Sequence, residues 1–432
     1  VKPLNVKRFY NACNPGKTLN MGNPDDQKYY INFSSVRGGE IVEELGQTIL
    51  LSDESTCQLF TGHIGCGKST ELLRLKEELE KQSFHVVYFE SSQDLDMADV
   101  DISDILLAIA RQASESLEAV GIKLKPGYFS NLFGEISNFL QTPIDFSLGA
   151  ELSLGIAKVT AQTKESPKLR NQLRDYLEPR TSNILKSIND ELLAPATEKL
   201  KQRGKEGLVV IVDNLDKVDN TAKPWGRRQP EYLFIDRGEQ LSRLKCHVVY
   251  TIPLALMFSP EYGKLQSSLG SAKVLPMVPV QVRQGNHFEV GIELLRQLVL
   301  TRAFPDLHHP ERLDRVTELF DSIETLDRLC CVSGGHVRNL LRLLHECIPK
   351  ERPPLSRHCL EGVIKQRCNE LTLGIKDEDW DLLRQVRQIK KVRGEEGYQS
   401  LLRSLFVFEY RDADGSWFDI NPVLAEAKEF KS

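Results

Sequence analysis

The chain has 432 residues, of which 41% are apolar, 27% charged and 7% aromatic, and its formal net charge is −5. A chain of this length holds about two to four domains, and its composition excludes wholesale disorder and collagen-like or coiled-coil rods. The mild acidity excludes a nucleic-acid coat or a polybasic membrane binder, though not a local basic face.

No apolar run reaches the roughly 18 residues of a membrane span. Lys2, Lys7 and Arg8 have no apolar stretch behind them, so Val1–Tyr10 does not read as a secretory signal. The nine cysteines form no CxxC pair. They read as reduced thiols, which makes a cytoplasmic protein the expectation.

In chain order, Asn14-Pro15-Gly16 and Gly22-Asn23-Pro24-Asp25 mark turns. Gly16-Lys17-Thr18 looks like half of a phosphate loop but lacks the glycine five residues upstream. A helix is expected from about Glu40 to Leu50. Five short apolar runs follow as strand candidates: Cys57–Thr61, His85–Glu90, Leu208–Val212, His247–Thr251 and Lys273–Met277. Separated by helical stretches, they predict an α/β fold with a mainly parallel five-stranded sheet covered on both faces.

Residues 121–205 interrupt that rhythm as a largely helical insertion. Within it Ala150–Ala157 suggests a hairpin arm, and Lys168–Leu200 suggests helix. Residues 219–235 read as a loop. After Pro279 the pattern turns helical, with Glu289–Arg302, Leu313–Leu329 and His336–Glu346 as amphipathic segments. Helices near Arg357–Leu371, Asp377–Lys391 and Tyr398–Ser404 then precede a hairpin, Leu405–Tyr410 and Trp417–Ile420. Helices closed by one hairpin suggest a winged helix. The expected division is an N-terminal segment 1–55, a core 56–280, a helical lid 281–350 and a winged-helix domain 351–432.

The strongest motif is Gly62-His63-Ile64-Gly65-Cys66-Gly67-Lys68-Ser69, which fits GxxxxGK[ST] at every position. Gln58–Thr61 is strand-like before it. Thr70–Glu80 is helical after it, with Leu72, Leu75 and Leu79 on one face. The glycines let the backbone wrap phosphate oxygens with its N–H groups, and the helix adds its positive end. Lys68 supplies an ammonium for the β- and γ-phosphates, and Ser69 a hydroxyl for Mg²⁺.

Leu208–Val212 ends in Asp213-Asn214-Leu215-Asp216. A carboxylate at the tip of such a strand holds Mg²⁺ through water, which is the role assigned to Asp213. The place of a water-polarising Glu is taken by Asn214, which accepts no proton usefully. Asp216 is therefore either the water-orienting acid or the cap of the next turn; an imperfect base favours slow hydrolysis. Thr251 ends its strand as either a γ-phosphate sensor or a residue chosen for β-propensity.

Together these residues resemble the P-loop ATPases of the AAA+ and STAND groups, over about residues 37–432. Ser333-Gly334-Gly335-His336-Val337-Arg338 looks like the lid sensor of origin-recognition-type initiators, and Asp213-Asn214-Leu215-Asp216 looks more like the STAND pattern. The resemblance implies ATP or ADP with Mg²⁺ as ligands. It also implies adenine clasped beside Arg37-Gly38, the loop Gly62–Ser69 with Thr70 on the phosphates, and Arg338 reaching the γ-phosphate. Arg237 or Arg243 would complete a neighbour's site, or would be plain solvated arginines.

Other signals are weaker. The run Asp94, Asp96, Asp99, Asp101 and Asp104 lacks the glycine and glutamate of a calcium loop, and a solvated helix entry is expected. Cys66 in the loop suggests redox gating or simply a small residue that fits. Arg384, Arg387 and Lys391 share a face if helical, so 384–404 could meet duplex DNA. The reading is an ATP-driven switch that assembles with itself or a protein partner; the alternative is a DNA-binding initiator or transposition-type loader.

Overall fold

Four of the five apolar runs become strands within one residue of their expected bounds, because each is long enough to be buried on both faces of a sheet. The computed structural model describes residues 4–124, 127–140, 152–164 and 166–430. The chain divides into two units, one of Val42–Thr61 and Leu75–Lys273, the other of Val1–Ile41, Gly62–Arg74 and Val274–Ser432.

The first unit is built on the sheet. Helix α1 (Ile41–Leu50) enters strand β1 (Cys57–Thr61), and helix α2 (Lys68–Lys81) leads on to β2 (His85–Glu90). Helix α3 (Ile102–Ala119) follows, then β3 (Leu208–Asp213), β4 (His247–Thr251) and the short β5 (Lys273–Val274). The strand order is β2-β3-β4-β1-β5, and β1–β4, β2–β3 and β3–β4 all pair in parallel. All six residues of β3 are buried, as an interior strand of such a sheet requires. The register sets Glu90 beside Asp213 and Phe60 beside Thr251. Four strands therefore end at one edge.

The core of this unit joins Val87, Val210, Val212, Val248 and Tyr250 of the sheet to Ile105, Leu106 and Ile109 of α3. The insertion adds Leu173, Leu177, Ile184 and Ile188 to the same cluster. Among its described residues the insertion is helical. The expected hairpin arm at 150–157 is instead helix α4 (Leu152–Lys164), with residues 150 and 151 outside the described set. Its buried Leu152, Ile156 and Val159 fall at helical spacing, a period the small residues between them conceal. Helix α5 (Pro167–Leu177) follows, capped by Ser166. The loop expected over 219–235 closes with an Ala222–Arg228 bridge and turns helical from Gln229.

The acidic run is not a solvated helix entry. Arg174 of α5 reaches Asp99 at 2.8 Å, Asp101 at 3.5 Å and Asp104 at 3.9 Å, while Lys223 reaches Asp99 at 3.0 Å. Arg170 pairs with Asp96, and Arg111 with Asp94. Asp101 also caps α3. Asp96, Asp99, Asp101 and Asp104 form the seam that holds α5 to the core, while Asp94 is held by α3.

The second unit carries the lid and winged helix. The lid comprises α6 (Glu289–Ala303), α7 (Ile323–Val332) and α8 (Val337–Cys347). The single helix expected over 313–329 is broken: a 3₁₀ turn at Val316–Glu318 precedes α7, whose N-cap is Ser322. The break lets Phe320 bridge Leu355. The winged helix follows as α9 (Arg357–Thr372), α10 (Asp377–Ile389), α11 (Glu396–Arg403), and the antiparallel strands β6 (Val407–Asp412) and β7 (Gly415–Ile420). Tyr410 and Trp417 face each other across the hairpin with ring centres 4.5 Å apart.

The fifth strand stops three residues early. Met277 N donates to Glu409 O at 2.9 Å and Val278 N to Gly335 O at 3.4 Å, so the chain leaves the ladder for partners far along the sequence. No described helix is long and apolar enough to cross a membrane.

Because Arg174 reaches three carboxylates of the seam at once, Arg174→Ala removes that countercharge from Asp101 and Asp104 and leaves Asp99 with Lys223. It is expected to cost about 2 kcal/mol in chemical denaturation, with Arg174→Lys recovering part of the loss.

Candidate functional site

The chain passes from the buried end of β1 straight into the loop Gly62–Ser69, and α2 begins at Lys68. A loop that turns its N–H groups inward turns its carbonyls outward, and buried carbonyls need donors. Here five in a row are taken. Lys68 Nζ donates to Gly62 O at 2.8 Å and His63 O at 2.9 Å. His336 Nε2 donates to Ile64 O at 2.8 Å, Arg338 N to Gly65 O at 3.2 Å, and Arg37 Nη2 to Cys66 O at 2.9 Å.

Two glycines are dictated by this crowding as well as by backbone angle. A Cβ at Gly62 would meet Leu275 O at 2.5 Å, and one at Gly65 would meet His336 Cε1 at 2.8 Å and Arg338 Cβ at 2.9 Å. Both have positive φ, +152° and +92°. Positive-φ glycines are what a phosphate-wrapping backbone needs, so the loop's residues fit the phosphates of a nucleotide.

Arg37, expected beside adenine, lies on the loop itself. It is buried, its guanidinium sits 5.1 Å from the Phe33 ring centre, and burial lowers its pKa. Gly38 lies against Arg411 of β6. Cys66 is fully buried, with Sγ 3.6 Å from Leu275 O. Thr70 follows Ser69 in the first turn of α2. The Lys17 of the half-motif pairs with Asp26 at 2.7 Å.

Sequence reasoning missed a cluster of side chains around the loop. Glu409 N on β6 donates to His63 Nε2 at 2.8 Å, which makes Nε2 an acceptor and keeps that imidazole neutral. Burial lowers the His63 pKa accordingly. His336 is the N-cap of α8: its Nδ1 accepts from Asn339 N at 2.9 Å, so its proton sits on Nε2 and points to Ile64 O. Burial pushes its pKa down to about 3. Phe408 stacks on His336 at 5.5 Å and meets His63 edge-on at 5.8 Å. Tyr410 Oη donates to Gly334 O at 2.8 Å. The only sequence signal for this was a histidine inside the loop and another next to the lid glycines.

The sheet unit carries the other expected residues. Asp213 is buried at the tip of β3, where Oδ2 accepts from Tyr88 Oη at 2.8 Å and Oδ1 from Asn214 N at 2.7 Å. Thr251 Oγ1 accepts from Leu215 N at 3.0 Å and donates to Val212 O at 3.4 Å, tying β4 to the end of β3. Asp216 is buried in the 3₁₀ turn Leu215–Lys217, past the strand end. Asn214 has φ +66°, and its Nδ2 donates to Glu90 Oε2 at 2.9 Å and Ser92 Oγ at 3.2 Å. Arg237 pairs with Glu178 at 2.7 Å, and Arg243 pairs with Glu239.

A Walker-type phosphate loop leaving the first of five parallel strands, with an acid at the tip of the interior strand β3, decides the fold. The fold is that of a P-loop NTPase, followed by a helical lid and a winged helix. The structure is similar to the Walker-type ATPase PABY2304 of Pyrococcus abyssi, with TM-score 0.43 and 11% identity, covering 94% of this chain and 100% of that one. It is also similar to the Aeropyrum pernix ORC2 protein in its ADP form, with TM-score 0.38 and 15% identity over 92% of this chain and 94% of that one. A third similar structure is the Aeropyrum pernix ORC1 protein in complex with DNA, with TM-score 0.36 and 12% identity over 90% and 92%. No protein-family model matches the sequence, and no curated protein matches it.

The basic run near the C-terminus is only partly helical. Helix α10 ends at Ile389 and Lys390 turns left-handed, so Lys391 does not share a helix face with Arg384 and Arg387. Arg384 donates to Asp381 at 2.8 Å and Glu429 O at 3.2 Å, Arg387 lies over Phe430, and Lys390 pairs with Asp419 at 2.6 Å.

The side chain of Glu409 makes the stability of this region pH-sensitive. It is buried, Oε1 accepts from Ser416 at 2.7 Å, Oε2 has no hydrogen-bond partner among the described residues, and burial pushes its carboxyl up to about 7. A raised pKa means that the folded chain holds the proton more tightly than the unfolded one. The contribution is full below the ordinary value of 4.5 and is lost as pH rises through about 7. Glu409→Gln is therefore expected to flatten the fall in stability between pH 5 and 8, and to be more stable than wild type at pH 8 by up to about 3 kcal/mol in denaturant titrations.

Proposed function

We propose that this protein is a cytoplasmic, Mg²⁺-dependent ATPase of slow turnover that works as a switch, its nucleotide state setting the position of the lid and winged helix. The observation that carries this reading is that lid and winged helix both grip the phosphate loop, through His336, Arg338 N and Glu409 N.

Lys68 has two competing sets of partners, the carbonyls of Gly62 and His63 or the phosphates of a nucleotide. Binding a nucleotide withdraws the ammonium from two of the five outward carbonyls and changes the row that the lid shares. Arg338, at the start of α8, gains a charge partner only with a triphosphate. A ligand shifts such an equilibrium by its differential contacts, and these residues supply them. Ser69 and Asp213 are the residues to hold Mg²⁺, which neutralises charge on the β- and γ-phosphates. Thr251, tied to the end of β3, couples that edge to the occupancy of the site. Self-assembly or a protein partner on the insertion would read out the switch.

The DNA-loader reading has less support, since Arg384, Arg387 and Lys390 are already engaged within the chain. Steady-state ATP turnover by the purified chain, with and without duplex DNA at low salt, separates the two. The switch predicts Lys68-dependent turnover below about 1 s⁻¹, under the median of roughly 10 s⁻¹ for enzymes, unmoved by DNA and absent in Lys68→Ala. A tenfold stimulation by DNA would favour the loader.

A further inference from the structure

Hydrolysis needs a carboxylate that can take a proton from water, and the position directly after the metal acid holds Asn214. Asp216, the next acid along the chain, lies in the turn beyond the strand, buried. The neighbouring strand supplies a better-placed group. Glu90 is the last residue of β2 and stands in register with Asp213, the last residue of β3. Both strands are parallel, so the two carboxylates share the edge at which β1 passes into the phosphate loop.

Asn214 is not idle in this arrangement. Its left-handed backbone turns the chain away from the strand, and its amide reaches back across to β2. Both protons of Nδ2 are used, one on Glu90 Oε2 at 2.9 Å and one on Ser92 Oγ at 3.2 Å. Glu90 Oε1 has no hydrogen-bond partner among the described residues, and the residue is half-buried. An amide thus orients a glutamate by one oxygen and leaves the other to accept from water. Tyr88, two residues earlier on β2, fixes Asp213 in the same way, so β2 orients the acid on β3 while β3 orients the acid on β2.

We propose that Glu90 is the general base of ATP hydrolysis and that Asn214 is its positioning residue. The assignment rests on the ATPase reading above. In the step, the water oxygen bonds to the γ-phosphorus, and its proton passes to Glu90 Oε1. The bond from the γ-phosphorus to the β–γ bridging oxygen breaks, and the electron pair leaves with ADP. Glu90 then releases the proton to solvent or to the phosphate, and no other reactant is consumed.

The test is single- and multiple-turnover ATP hydrolysis across pH, with nucleotide affinity measured separately, for wild type, Glu90→Gln, Glu90→Asp, Asp216→Asn, Asn214→Ala and the Lys68→Ala control. Glu90→Gln keeps an oxygen for Asn214, so its unfolding midpoint should match wild type. The proposal expects it to lose at least about 100-fold in kcat with ATP affinity held within about threefold. Glu90→Asp, which keeps the carboxylate on a shorter stem, should recover part of that loss. Asn214→Ala should shift the pH profile of kcat more than ATP affinity, which a merely structural role would not do. Turnover that survives in Glu90→Gln overturns the assignment alone, as does loss confined to Asp216→Asn. Absence of any Lys68-dependent turnover in the unmodified chain overturns the ATPase reading and this assignment with it.

Discussion

The constraint on which the second unit turns is the outward row of carbonyls on the phosphate loop. A backbone that presents successive amides to an anion cannot also present its oxygens there. The oxygens of residues 62–66 face protein and each must find a donor. In this chain the donors come from four places: the loop's own Lys68, Arg37 before the sheet, His336 at the cap of α8, and the amide of Arg338. The N-terminal segment and the lid are thereby organised around the same five residues, and β6 joins them through His63.

That organisation explains why the segment near Arg37 is packed as it is. A buried guanidinium is costly unless it is bonded, and the carbonyl of Cys66 and the face of Phe33 offset that cost. It also explains the neutral histidines. Each has one ring nitrogen accepting a main-chain amide, a role an imidazolium cannot fill, so their low pKa values and their contacts are one fact.

Much of this fold was legible in the sequence, for a simple reason. A strand buried on both faces must be continuously apolar, so Leu208–Val212 and His247–Thr251 announce themselves, and GxxxxGKS is a local pattern. The winged helix was legible too, from helices ending in one hairpin. What was not legible depends on partners remote in sequence. The apolar run at 273–277 looks like a full strand, but Met277 spends its amide on Glu409. The acidic run 94–104 looks solvated until Arg170 and Arg174 arrive from the insertion. The break before α7 follows from the pairing of Phe320 with Leu355. Around the loop, the loop residues could be read directly, whereas the contacts of His336, Phe408 and Glu409 could not, since they come from far along the chain.

Two of the grips on the phosphate loop are made by main-chain amides, those of Arg338 and Glu409. A peptide N–H donates whatever side chain it carries, so these contacts tolerate every residue except proline at either position. Divergent chains could keep the same hold on the loop while residues 338 and 409 drift freely in identity, subject only to their side chains' other duties. Comparing sequences would then under-report this coupling, and its trace would be a forbidden residue in place of a shared one.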